Sequence, residues 1–249
     1  MTDSKADIWR MSSEYEPAHK NVVFGGGGLI GHMRPLPYMT NILKEKGFKL
    51  FAWGMGENVY VCMDEQTQFL PHPQVIYPPF VREYDLLGLR DYYVDLFKND
   101  QISWVPCASC MHPSFDKKYK INHEVVFFMH KALPLEIIWG MPEETWRYPS
   151  MRNDCGLDID KVLEFLGSGE TVITNSYHGA YWATLLGRKV CVFPWASKFW
   201  GLKHKPVYSM TRDWKTNAAA AKSYPEALEE CREANMIFYN KIIERLDDE

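Results

Sequence analysis

The chain predicts an α/β protein built on parallel sheets, and three observations carry the prediction. Short apolar runs of strand length alternate with segments of helical periodicity. The run at 172–174 is apolar without alternation, as in a strand buried on both faces, and it passes straight into a helix start. The last segment, 225–246, is amphipathic: Leu228, Cys231, Phe238, Ile242 and Leu246 fall on one stripe with charged residues elsewhere. Such alternation closes into a parallel sheet with helices on its faces.

In chain order, strands are predicted at 22–24, 49–53, 86–89, 102–105, 125–129, 172–174 and 190–193, and helices at 38–46, 92–97, 159–166, 177–186 and 225–246. The first strand runs into glycines, and Gly26-x-Gly28-x-x-Gly31 formally matches a dinucleotide fingerprint. A nicotinamide site also needs an acidic residue at the end of the second strand, where Ala52, Trp53 and Gly54 stand. Pro35 and Pro37 further delay the next helix beyond a tight phosphate turn. The strand at 86–89 delivers Arg90, whose planar guanidinium either grips a carboxylate or phosphate or pairs with the adjacent Asp91. Arg34, after the glycines, is a weaker cation of the same kind.

After the strand at 102–105 comes Cys107-Ala-Ser-Cys110, with His112 nearby. A structural zinc site needs four ligands and no second pair has matching spacing, while a redox Cys-x-x-Cys should open a helix. The motif therefore reads as a loop at a strand end. Pro, Lys and Asn interrupt the pattern between residues 113 and 123, which places a boundary between lobes 1–118 and 119–249. The alanines at 218–221 mark a loop or a helix start.

Composition narrows the function classes. A chain of 249 residues with 46% hydrophobic residues can form a sizeable core. The net charge of −4, with basic residues scattered, leaves no footprint for nucleic acid. No window approaches the roughly 18 apolar residues of a membrane span, and residues 1–20 lack the apolar core of a signal peptide, so the expected location is cytoplasmic. Without an export signal, Cys62, Cys107, Cys110, Cys155, Cys191 and Cys231 are expected to stay reduced.

The junction Val172-Ile-Thr-Asn-Ser-Tyr-His-Gly-Ala180 concentrates the chemistry. Asn175 or Ser176 caps the helix, and Gly187 stops it. A helix start offers unpaired N–H groups and a positive dipole end to a phosphate or carboxylate, and ligands collect at the carboxyl ends of parallel strands. His178 stands there either as an acid–base group or as a packed histidine. Lys198, in the loop after Pro194, either neutralises a phosphate or is solvated.

The block TVITNSYHGAYWATLLGRKVCVFP with Lys198 resembles the signature of the polysaccharide pyruvyl transferase family. The stretches VVFGGGGLIG at 22–31, LFAWGMG at 50–56 and LGLRD at 87–91 resemble further blocks of that family in the same order. The resemblance implies two Rossmann-like lobes, glycosyltransferase-B-like, with a shortened N-terminal acceptor lobe and a C-terminal donor lobe. It implies transfer of a pyruvyl group from phosphoenolpyruvate to a carbohydrate acceptor as a ketal, in polysaccharide biosynthesis, with no cofactor and no metal. It assigns catalysis to His178 and Arg90, and substrate binding to Gly26, Gly27, Asn175, Ser176, Tyr177, Gly179 and Lys198, the glycines forming a close-approach turn at the cleft floor. Two departures stand out: Ser176 occupies the position where the family's commonest motif has arginine, and a cysteine pair replaces an Asp-Pro element at Cys107. A nucleotide-sugar-dependent glycosyltransferase, or a non-catalytic glycan-binding relic that uses its tryptophans and tyrosines, are the alternatives.

Overall fold

The computed structural model describes residues 20–30, 35–58, 77–93, 100–132, 147–154, 156, 158–210 and 213–247. Two parallel sheets organise the chain, one in each of two compact units. Unit 1 comprises residues 1–59, 73–108 and 234–249, and unit 2 residues 60–72 and 109–233.

In unit 1 the central strand is β3 (Lys49–Glu57). On one edge it pairs with β1 (Asn21–Phe24) and then β2 (Gly27–Ile30); on the other it pairs with β4 (Leu86–Leu89), which pairs with β5 (Ile102–Trp104). The glycines therefore do not form the turn that the resemblance implies: they break the strand, which resumes along the same edge of β3. Gly26 fits at the break because a Cβ there would lie 2.9 Å from the Gly54 carbonyl oxygen. β3 bulges at the same level. Its register against β4 shifts between Ala52 and Met55, and Gly54 takes the left-handed φ of 70° that such a bulge imposes and other residues resist. Helix α1 (Pro35–Glu45) covers this sheet through Leu36, Met39 and Leu43, all buried.

Unit 2 is built on β6 (His123–His130), β7 (Ser150–Asn153), β8 (Gly169–Thr174), β9 (Lys189–Val192) and β10 (Val207–Tyr208). Their order across the sheet is β10-β9-β8-β6-β7, all parallel. β6 and β8 each have two neighbours, which is why Val126, Phe127, Phe128, Val172 and Ile173 are fully buried and their sequence reads as unbroken apolar runs. Helices α2 (Ile159–Ser168), α3 (Tyr177–Leu185) and α4 (Trp214–Ala219) belong to this unit. α3 stops at Gly187, φ 67°, where the Arg188 and Gly187 amides donate to the Ala183 and Thr184 carbonyls. The alanines thus close a helix rather than start one; its cap is Asp213, which accepts from the Thr216 amide, and Trp214 anchors it against Phe127 with ring centroids 5.3 Å apart.

The final helix α5 (Ala227–Asp247) carries the expected stripe, with Cys231, Phe238 and Ile242 buried. One polar residue shares it: buried Asn235 accepts from Trp53 Nε1–H at 2.7 Å and donates to the Pro106 carbonyl at 3.2 Å, which joins the helix to the unit 1 sheet. The predicted helix at 92–97 lies, from residue 94 on, outside the described residues, as do Gly31, Arg34, Cys62 and Cys155. No helix among the described residues is long and apolar enough to cross a membrane.

Candidate functional site

The strand order of unit 2 contains a topological switch point. From β6 the chain goes to β7 on one side and comes back to β8 on the other, so crossovers leave β6 in opposite directions. Counted from β6 this is the doubly wound order 2-1-3-4-5, whose binding crevice opens where the crossovers diverge, beyond the carboxyl ends of the first and third strands. Those ends are His130 on β6 and Thr174 on β8, and Asn175 to Gly179 follow directly.

Local chemistry holds the junction in shape. Thr174 Oγ1 accepts from the Ser176 amide at 2.9 Å and donates to the Phe128 carbonyl across the β6–β8 pair. Ser176, not Asn175, is the N-cap: its Oγ accepts from the Gly179 amide at 3.3 Å and from Asn153 Nδ2 at 2.9 Å. The Asn175 side chain points along the sheet instead, where Oδ1 accepts from the His130 amide at 2.7 Å. Asn153 and His130 are themselves paired in register. Three neighbouring strand ends are thereby tied together under the start of α3. Gly179 explains the His-Gly pair, because a Cβ there would lie 2.5 Å from both Thr174 Oγ1 and Phe128 Cδ1.

His178 is half-buried in the first turn of α3, its ring stacked 4.8 Å from that of Trp182 one turn on and 5.6 Å from that of Tyr177. Trp182 is in turn fixed by donation from Nε1 to Ser109 Oγ at 2.9 Å. The imidazole is therefore not a core residue; it is held at a defined angle at the positive end of a nine-residue helix. Tyr177 is 6% exposed and stacks on Tyr181, so it packs the helix start. Lys198 lies in the loop after β9, its Nζ 4.0 Å above the Trp195 ring, and Trp195 Nε1 donates to the Asn175 carbonyl at 2.7 Å. Burial, with Lys198 and Lys131 nearby, holds the His130 imidazole below its ordinary range.

Of the predicted site residues, Asn175, Ser176, Tyr177, His178, Gly179 and Lys198 thus gather in unit 2. Gly26, Gly27 and Arg90 belong to unit 1, around the carboxyl half of β3. Arg90 is 7% exposed, with Nε 3.6 Å from Asp91 Oδ1 and Nη2 donating to the Glu57 carbonyl at 3.1 Å. Arg90 thus pairs with the adjacent Asp91. Gly56 accommodates this arginine, since a Cβ there would overlap the Arg90 side chain at Nε. Asp91 Oδ2 accepts from the Glu57 amide at 2.6 Å, yet burial pushes its carboxyl up to about 6 despite the neighbouring Arg90.

Sequence reasoning missed His130, Asn153 and Trp195. The only local signal for His130 is its position as the last residue of an apolar strand. The cysteine loop forms short 3-10 turns, and His112 caps the second of them by accepting from the Ser114 amide at 3.3 Å. Among the described residues no three His, Cys, Asp or Glu side chains gather as for a metal. Burial pushes the Cys191 and Cys231 thiols up to about 12, far from the range of a reactive thiolate. Compared with family models, curated proteins and solved structures, the chain matches none of them.

Proposed function

We propose that the protein is a ketal-forming pyruvyl transferase that takes phosphoenolpyruvate as donor and a sugar as acceptor. The observation that carries the reading is the coincidence of the Thr174 to Gly179 junction with the divergence of crossovers in the unit 2 sheet, with His178 in the first helical turn and Lys198 tied to the same junction through Trp195. In the finer form of the proposal the two units are Rossmann-like lobes of a glycosyltransferase-B-like enzyme, shortened at the acceptor side, acting in the cytoplasm on a polysaccharide precursor.

The reaction sets clear demands. Carbon 2 of the enol phosphate gains bonds to two sugar hydroxyl oxygens and loses its bond to the phosphate oxygen. Of the two hydroxyl protons, one ends on carbon 3, which becomes a methyl group, and the other leaves with phosphate. His178 moves a proton between hydroxyl and methylene, a task suited to imidazole. The amides at the start of α3 and the Lys198 ammonium hold the donor's phosphate or carboxylate. Ser176 then has a consequence: where the family's commonest motif supplies a cation, this chain supplies a cap, so Lys198 carries more of the charge.

A nucleotide-sugar glycosyltransferase is favoured by one of the same features, since a helix start at a crossover divergence suits a diphosphate equally well. Thermal denaturation separates the two. A ligand that binds only the folded state raises the melting temperature, so millimolar phosphoenolpyruvate is expected to stabilise the protein and nucleotide sugars are not. Stabilisation by a nucleotide sugar alone contradicts the pyruvyl transferase reading.

A further inference from the structure

Trp195 carries no charge and lies outside the junction segment, yet it touches three groups of the candidate site: the Asn175 carbonyl, the Lys198 ammonium and the His130 ring. Its Nε1–H donates to the Asn175 carbonyl at 2.7 Å, Lys198 Nζ lies 4.0 Å above its ring, and the His130 and Trp195 ring centroids are 5.1 Å apart at 67°. The indole is only 6% exposed and packs on Phe199, with ring centroids 6.0 Å apart. A core tryptophan needs apolar neighbours and one acceptor for its N–H. This one also carries an ammonium on its face and an imidazole beside it, and both of those groups are half-buried at the carboxyl end of the sheet.

Resting on the reading of the junction as a site for the donor's anionic group, we infer that Trp195 is a positioning residue that fixes the Lys198 ammonium and the His130 imidazole beside the start of α3, so that both donate to the bound anion. A lysine side chain has many rotamers, and a cation over an indole face is confined to few of them. The two donors differ in kind. Nδ1 of His130 accepts from the Ala132 amide at 3.3 Å, which puts the proton of the neutral ring on Nε2. Burial, Lys198 and Lys131 all favour that neutral ring. His130 is thus a neutral hydrogen-bond donor and Lys198 a charged one, a pair suited to a phosphate or carboxylate. The carbonyl of Asn175, held by the indole N–H, keeps both in register with the helix start.

The test uses Trp195→Phe, Trp195→Leu and Lys198→Met in the full chain, with phosphoenolpyruvate and inorganic phosphate as probes in calorimetric titrations. In parallel, the His130 imidazole is titrated by NMR, its signal assigned with His130→Gln. Loss of the aromatic face in Trp195→Leu is expected to weaken phosphoenolpyruvate binding about tenfold, while Trp195→Phe, which keeps a ring, loses about threefold or less. The His130 midpoint is expected to rise in Trp195→Leu and in Lys198→Met, because the neighbouring ammonium has been released or removed. A folded Trp195→Leu protein with unchanged affinity overturns the inference, as does an unchanged His130 midpoint in that variant. Should Trp195→Leu not fold, an unchanged midpoint in Lys198→Met overturns it equally. If the unaltered protein binds neither probe, the donor reading fails by itself, and the His130 midpoints still decide whether Trp195 positions the pair.

Discussion

Gly179→Ala is expected to abolish phosphoenolpyruvate binding and to destabilise unit 2 by about 1–3 kcal/mol, in the range of overpacked core sites. The new methyl group would lie 2.5 Å from Thr174 Oγ1 and 2.5 Å from Phe128 Cδ1. Neither neighbour can give way cheaply: both are fully buried, and the Thr174 hydroxyl bonds the Phe128 carbonyl and the Ser176 amide. The first turn of α3 must lift instead, and it takes with it the Ser176 cap, the orientation of His178 and the amides that face the ligand. Gly25→Ala is the matched control. No atom approaches within 4 Å of a Cβ at that position, and stability there is expected to change by less than about 0.5 kcal/mol. Urea denaturation of the two variants, with and without phosphoenolpyruvate, measures both effects; equal stability and equal ligand response would contradict the packing account of the His-Gly pair.

Arg90→Met has the second large effect, and its size depends on pH. The arginine and Asp91 form a buried pair, and removing one partner of such a pair costs about 3–5 kcal/mol because the other charge is left uncompensated. In the unaltered protein burial raises the Asp91 carboxyl to about 6, above its ordinary 3.8. The sign follows from linkage: the folded state binds a proton more tightly than the unfolded one, so stability from this group is full below about pH 4 and is lost as pH rises through 6. Arg90 opposes that shift, hence its removal raises the carboxyl further. The destabilisation by Arg90→Met is therefore expected to be largest at pH 8 and to shrink towards pH 5, where Asp91 takes up a proton and the orphaned charge disappears. Denaturation curves at the two pH values test this, and a penalty independent of pH would show that Asp91 does not depend on Arg90.

How far the fold was legible depended on where burial is two-sided. β3, β6 and β8 each have neighbours on both edges, and their sequences Leu-Phe-Ala-Trp, Val-Val-Phe-Phe-Met and Thr-Val-Ile-Thr announce strands without further context. β7 is an edge strand of Ser-Met-Arg-Asn, too short and polar to be read, and the glycines of β2 hide a strand inside what looks like a turn. α4 was obscured because its interior residues Lys215, Thr216 and Asn217 carry little apolar periodicity. At the candidate site the helix start and the position of His178 followed from local signals, while the cap stayed open between Asn175 and Ser176 until the Ser176 hydroxyl was seen to accept from the Gly179 amide. The proximity of His130, Asn153 and Trp195 did not, since it depends on β7 and β8 lying on opposite sides of β6, which no local pattern encodes. Arg90 was visible as a choice between ligand and ion pair, and only the packing of Gly56, Glu57 and Asp91 around it shows that the ion pair forms.

One measurement tests the chemistry at His178 directly. The purified protein is incubated with phosphoenolpyruvate and a panel of β-galactoside and mannosamine acceptors, with phosphate release and product mass followed together. The expected result is one phosphate released per acceptor converted to its cyclic pyruvate ketal, with the reaction abolished in His178→Ala although that variant still binds the donor. Absence of ketal product across the panel, or equal turnover by His178→Ala, would contradict the account.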